Sequence, residues 1–467
     1  MCRLFTRGGI RVLFQGGSTS DRILFGTGIL LLCTGYLISG MDTLAQLVLS
    51  IVVLAGAGFA YFKALQHDWA LPHLGFFIAV LFMWTAHAAA LYGLARGIDA
   101  FSEMNTVDSG RYYAVYLPML GAFGVGLALF GRGSGASEWN RLSQYLQVHT
   151  NATLLLLAGG AFSWLTLPYW PAGLRLLPAF GFWSLLSVAP LYLMFTGGWR
   201  AWAALIGLVV IIVVYTIEHT VFGGTLFAFW MLACGYFLKN NTPFVWRVAT
   251  WAAAALMVVA LLSFKFEYRE TVLSETRTTD RLQQFMRVAA TRLSDPTQNP
   301  GWRRALLRLD QGHISGKVLA HVPAHTPFVH GETIWTAVRC IFIPRLISPD
   351  KPKSGGAVSY PRFTGEALRP DISKNIGQFA EAYVNFGPFG GVICIFFYGL
   401  LIRLSYEGVR TLQHVYPPAL LWLPFLFFRM LSVETDFLTT LNHLTKGGIF
   451  VLVAVWVFLQ FSRNETT

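Results

Sequence analysis

VNFGPFGGVICIFFYGLLIR, residues Val384 to Arg403, runs for twenty positions and carries no charge before its final arginine. An α-helix of about 20 apolar residues crosses a hydrocarbon core about 30 Å thick, so this stretch predicts a transmembrane helix. Working outward from it, similar runs recur near 23–40, 43–62, 72–95, 113–131, 151–169, 176–196, 200–217, 220–238, 244–264, 415–432 and 445–462. Composition agrees: 55% of the 467 residues are hydrophobic and 12% charged, where a soluble domain holds about a quarter charged. The expected fold class is an all-α polytopic membrane protein of about 12 transmembrane helices.

Arg3, Arg7, Arg11 and Arg22 precede the first run as they would in a signal peptide. No small-residue cleavage site follows and a second span comes at once, so the first run reads as a retained helix. The net charge of +12 is scattered through short loops, and no nucleic-acid-binding module interrupts the spans; membrane topology accounts for much of it, and no nucleic-acid partner is expected. The five cysteines stand singly without C-x-x-C spacing, which supports neither a disulfide framework nor a zinc site.

Lysine and arginine orient the bundle, because cytoplasmic loops near span ends carry the positive excess. With the N-terminus inside, Lys63, Arg132, Arg141, Arg200, Lys239, Arg247, Arg403, Arg410 and Arg463 fall in the cytoplasm, and the short outer loops keep only Arg96, Arg111 and Arg175. Both termini are then cytoplasmic. The expected organisation is an N-terminal membrane bundle over 1–264, a long extracytoplasmic loop over 265–383 between spans 9 and 10, and a C-terminal membrane bundle over 384–467. A connection of that length is functional or disordered more often than not, and its helical spacing argues for order. TTDRLQQFMRVAATRL (Thr278 to Leu293) is amphipathic, Asn299 and Pro300 read as the start of a helix, and ETIWTAVRCIFI (Glu332 to Ile343) is a third amphipathic element.

Within FIPRLISPDKPKSGGAVSYPRFTGEALRPD (Phe342 to Asp371) and its flanks, Arg339, Arg345, Lys351, Lys353, Arg362, Arg369 and Lys374 face only Asp350, Glu366 and Asp371. Positive charge on the outer face gains nothing from the orienting rule, so an anion such as a lipid-linked phosphate or diphosphate is the natural partner.

TPFVHGETIW (Thr326 to Trp335), FIPRLISPDKP (Phe342 to Pro352) and IGQFAEAYVNFGPFGGVICIFFYGLLIR (Ile376 to Arg403) occur in that order. Together they resemble the signature of bacterial oligosaccharide repeat-unit polymerases of the Wzy type, which polymerise O-antigen or exopolysaccharide units; the similar segments cover about a fifth of the chain. The resemblance implies a metal-independent glycosyltransferase with a GT-C-like bundle in the bacterial cytoplasmic (inner) membrane. It would move a growing glycan from one polyprenyl diphosphate to a sugar hydroxyl of an incoming lipid-linked unit, without a cofactor. Its partners would be the polyprenyl-diphosphate-linked oligosaccharide, membrane lipid and, in the same system, a chain-length regulator and a flippase.

Outside the cytoplasm the donor brings its own leaving group, whose developing charge fixed cations must meet. Arg308, Arg339 and Arg345, with Lys351, are the expected diphosphate ligands, because the guanidinium fork matches phosphate oxygens and stays charged. The acceptor hydroxyl needs a base within reach, and Glu381, His330 and His325 are the candidates. Tyr383 and Asn385 are expected to line the sugar site. In RMLSVETDFLTTLNHLTKGG (Arg429 to Gly448), a helix would put Asp436, Thr440 and His443 on one face, and ionisable residues this near a membrane usually turn to a polar cavity. The pair Glu434 and Asp436 is too little for a metal site. Rival readings are an O-antigen ligase-like transferase, a lipid-linked oligosaccharide flippase or other transporter, and a passive envelope scaffold. The long ordered outer loop argues against a transporter, and arginines gathered beside histidine and carboxylates argue against a scaffold.

Overall fold

The structure, a computed structural model, describes residues 18–97, 107–132, 136–170, 176–219, 222–272, 281, 283–288, 290, 308–343, 356–368 and 373–464. The described residues form helices and connecting turns, with no strand among them. Two compact units emerge, and they do not follow the linear order of membrane and outer segments: one comprises 1–64, 70–135 and 310–467, the other 65–69 and 136–309.

The first unit holds α1 (Thr19–Ser39), α2 (Thr43–Ala64), α3 (Leu71–Ala95) and α4 (Ser109–Ala128). After the second unit the chain returns as α12 (Gly312–His321), α13 (Glu332–Phe342), α14 (Ser359–Thr364), α15 (Gln378–Thr411), α16 (Ala419–Leu431) and α17 (Phe437–Asn464), the intervening α5 to α11 being given below. Among the described residues, five helices are long and apolar enough to cross a membrane: Thr19–Ser39, Thr43–Ala64, Leu71–Ala95, Gln378–His414 and Phe437–Trp456. All five lie in this unit.

Glycine lets α4 sit between α1 and α15. A Cβ at Gly28 would meet the Gly121 carbonyl at 2.8 Å, and one at Gly121 would meet the Gly28 carbonyl at 2.7 Å. On the other side, a Cβ at Gly399 would stand 2.7 Å from the Phe123 carbonyl. Backbones this close are how helices associate where lipid removes the hydrophobic drive between them.

A buried ionic network closes one end of this unit. Asp21 opens α1 in a capping box with Ser18, and its carboxylate meets Arg403 at 3.0 Å and His73 of α3 at 3.4 Å. Arg403 also meets Glu407 at 3.0 Å, and Glu407 meets Arg410 at 3.1 Å. Arg410 donates to the carbonyl of Arg132, just past α4, whose N–H returns to Glu407. Two arginines thus balance two carboxylates, all four buried.

Two departures from regular helix position the other end. In α3 a π-turn spans Leu81–Thr85 and the N–H of Ala86 bonds to Leu81 O; the carbonyls of Phe82 and Met83 accept instead from Gln311 N–H and the Tyr112 hydroxyl, at 3.1 and 2.7 Å. In α15 the helix breaks at Gly387 (φ 67°), just before Pro388. Proline has no N–H to return to the carbonyl four residues earlier, and that carbonyl, Val384 O, accepts from Val329 N–H at 2.9 Å.

The second unit contains α5 (Ala136–Val148), α6 (Thr150–Thr166), α7 (Leu176–Ser187), α8 (Ala189–Thr196), α9 (Gly198–His219), α10 (Phe222–Asn240) and α11 (Phe244–Val272). Trp139 of α5 donates to His67 O at 2.9 Å and packs edge-on to Trp69. The run read as one span over 176–196 is two helices parted at Val188, because Pro190 in the first turn of α8 cannot continue a preceding helix. The amphipathic α5 went unread in the sequence, being short and carrying Glu138 and Arg141.

Candidate functional site

The first turns of α15 precede its break and carry the polar residues of the sequence signature. Glu381 and Asn385, one turn apart, are 4% and 0% exposed. Glu381 Oε1 accepts from the Thr333 hydroxyl at 2.7 Å, and Oε2 accepts from Phe437 N–H at 2.7 Å. It therefore caps α17 while gripping α13. Asn385 donates to Thr333 Oγ1 at 2.7 Å and accepts from Thr333 N–H at 3.3 Å. Gln378, a turn earlier, reaches Ser432 O, Thr435 and Thr440. Tyr383 donates to Val322 O at 3.0 Å, with its ring against Phe328 and Tyr116.

Asp436 is the N-terminal cap of α17, accepting from Thr439 N–H at 2.7 Å. Thr440 follows at full burial, and His443 Nε2 lies 2.8 Å from Phe425 O, its ring against Phe425. The helix read across this stretch is interrupted: residues 432–436 are non-helical and α17 starts only at Phe437, after which Thr440 and His443 pack on α15 and α16.

A second buried cluster was not anticipated. His87 of α3 places Nδ1 at 3.1 Å from both carboxylate oxygens of Asp310. Asp310 also accepts from His313 N–H at the start of α12. His87 and Asp310 are 3% and 1% exposed. Tyr112 and Tyr113 pack on His87, with ring centroids 4.2 and 6.1 Å away. Burial holds His313 below the ordinary imidazole range, against the pull of Asp310. Tyr116 links the clusters: its hydroxyl donates to Ser315 O and its ring stands 6.3 Å from Tyr383.

The segments on either side of the basic stretch form a third group. Arg362 grips Glu332 bidentately at 2.7 and 2.9 Å, and those hydrogen bonds hold the Glu332 carboxyl below its usual range. Lys317 and Tyr360 both reach Glu366; burial pushes its carboxyl up, but these partners prevail and hold it below the usual range. Lys374 lies over the Tyr360 ring. Among the described residues of that basic segment and its flanks, Arg362 thus pairs with Glu332, which comes from outside the stretch, and Lys374 and Arg339 each lie over an aromatic ring.

Of the expected diphosphate ligands, Arg339 is exposed on α13 with its guanidinium 5.0 Å from the Trp335 ring, and Arg308 is exposed. Arg345 and Lys351 lie outside the described residues. His325 and His330 are exposed, His330 in the left-handed region at φ 46°; His325 stacks near His321 at 5.0 Å. Among the described residues, neither histidine hydrogen-bonds to Glu381, Asn385 or Asp436. The structure therefore gathers Glu381, Asn385, Tyr383 and Asp436, adds Thr333 and Gln378, and leaves the histidines at the surface. Comparison with protein-family models, curated proteins and solved structures gives no match, so residues and geometry carry the functional reading.

Proposed function

We propose that this chain is a glycosyltransferase of about twelve spans that polymerises polyprenyl-diphosphate-linked oligosaccharide units into a surface polysaccharide, on the outer face of a bacterial cytoplasmic membrane. The observation that supports it is the junction of two signature segments far apart in sequence: TPFVHGETIW and IGQFAEAYVNFG meet through Thr333, Glu381, Asn385 and the Val329–Val384 backbone bond. In this reading Glu381 and Asn385 frame the site by fixing α13 against the membrane span. Arg339, with Arg345 and Lys351, supplies cations for the diphosphate as its bond to the sugar breaks, and the exposed Trp335 beside Arg339 suits a lipid–water interface. The chemistry asks of the protein positioning, charge stabilisation of the leaving group and a base for the acceptor hydroxyl.

Reconstitution into liposomes with polyprenyl-diphosphate oligosaccharide tests this. A ladder of lengthening glycans that persists with chelator is expected. Products that stop after one transfer to a foreign acceptor would indicate a ligase, and lipid translocation with no covalent product would indicate a flippase; either defeats the polymerase reading.

A further inference from the structure

We propose that His87, oriented by Asp310, is the general base that takes the proton of the acceptor hydroxyl; the inference rests on the polymerase reading and names a residue of that same site. The argument begins with what a base requires: a nitrogen free to accept, and a neighbour that fixes its tautomer. Asp310 meets Nδ1 through both oxygens and accepts His313 N–H at the start of α12, where the helix dipole favours its negative charge. A carboxylate there draws the imidazole proton to Nδ1, which makes Nε2 the accepting atom. No described residue hydrogen-bonds to Nε2.

The other candidates lack this arrangement. Both oxygens of Glu381 are engaged, by Thr333 and by Phe437 N–H. His325 and His330 are exposed, and no carboxylate among the described residues pairs with either.

The surroundings of the dyad are built to hold it. The π-turn in α3 ends just before His87, and such turns recur at functional positions. Gln311 N–H and the Tyr112 hydroxyl take the carbonyls at that turn. A Cβ at Gly312 would lie 2.5 Å from His87 Cγ, so α12 approaches the ring as only glycine allows. Beside it, the Tyr113 hydroxyl is buried with no hydrogen-bond partner among the described residues, its ring edge-on to His87. An unpartnered buried hydroxyl is costly unless a ligand meets it, and a sugar hydroxyl can both donate to it and accept from it. Among the described residues, the titratable groups facing the dyad are Tyr112 and Tyr113 from α4 and His313 from α12.

The step balances as follows. The acceptor O–H breaks and its proton goes to Nε2; the oxygen forms a bond to the donor anomeric carbon; the bond from that carbon to the diphosphate oxygen breaks, with its electron pair leaving on polyprenyl diphosphate. The imidazolium, paired with Asp310, then returns its proton to solvent.

Asp310→Asn and His87→Ala, in the full chain reconstituted with polyprenyl-diphosphate oligosaccharide, test the assignment. Asp310→Asn keeps an acceptor for His313 N–H but no longer fixes the tautomer, so kcat should fall at least about 100-fold with KM within about threefold. His87→Ala should lose as much, and added imidazole should restore part of it, which a purely structural role would not allow. Either variant, folded by size exclusion and turning over within about threefold of the parent, overturns the inference, as does a loss in His87→Ala that imidazole leaves unrelieved. Should His87→Ala not fold, Asp310→Asn decides alone. A parent protein that builds no ladder defeats the polymerase reading and the inference with it; a ladder in parent and variants alike removes only the dyad.

Discussion

At the C-terminal end of α15, Arg403 and Arg410 meet Asp21 and Glu407, charge for charge. At its N-terminal end and beside it lie Glu381, Asp436 and Asp310, all buried, and among the described residues none of the three meets a lysine or arginine at ion-pair distance. Without the break at Gly387, the stretch from Glu381 to Arg403 would measure about 33 Å as helix, close to one hydrocarbon thickness. The two regions hold their acids by different means. One uses ion pairs that tie α1, α3 and α15 together; the other uses hydroxyls, helix N-termini and imidazole, donors that are neutral or able to give up a proton. A closed ionic network suits a fixed anchor, whereas carboxylates satisfied by exchangeable donors suit a place where charge changes during a reaction.

Removing one partner from the closed network should cost most. Arg403→Ala leaves Asp21 and Glu407 buried and short of a cation, and a loss of about 3–5 kcal/mol is expected; thermal unfolding in detergent reads it, and an unchanged Tm would show that the network anchors nothing. At the other end, Glu381→Ala strips acceptors from Phe437 N–H and the Thr333 hydroxyl, for about 1–3 kcal/mol. Glu381→Gln keeps one carbonyl acceptor and should lose less, so equal losses in the two variants would mean that the charge itself matters. Between the ends, Gly399→Ala presses a methyl onto the Phe123 carbonyl and should cost about 1–3 kcal/mol through overpacking, checked by the same melts.

The smallest effect belongs to the exposed pair of Glu332 and Arg362. Arg362→Ala should cost less than about 1 kcal/mol, less still in high salt. Because Arg362 depresses the Glu332 pKa, the contribution is present above the unfolded carboxylate range and disappears as pH falls through the folded value. A double-mutant cycle that gives the same coupling below that range as at neutral pH would contradict the pairing.

Much of the fold was legible because apolar length is a local property. The helices at 19–39, 43–64 and 71–95 agree with the runs read from sequence, and the amphipathic helix Glu332–Phe342 was visible in its spacing. Glu381 and Asn385 were legible as polar residues at the threshold of a span, although nothing local told that Thr333 would bind both. The pairing of His87 with Asp310 was hidden for a plainer reason: the two residues are 223 positions apart, and each alone reads as an ordinary polar residue. Local charge counting misjudged Arg362 in the same way, since its partner Glu332 lies 30 positions upstream. The interruption at Val188 did have a local signal in Pro190, masked by the uniform hydrophobicity around it.

The hydrogen bond from Val329 to Val384 O has a consequence for how freely this protein can change. It joins the connection after α12 to the membrane span through main-chain atoms alone, at a carbonyl that Pro388 leaves without its helical donor. The register of that connection against the span is therefore held by the backbone at this point, whatever side chains stand at positions 329 and 384. Such a seam would let those two positions drift in sequence on an unaltered chassis.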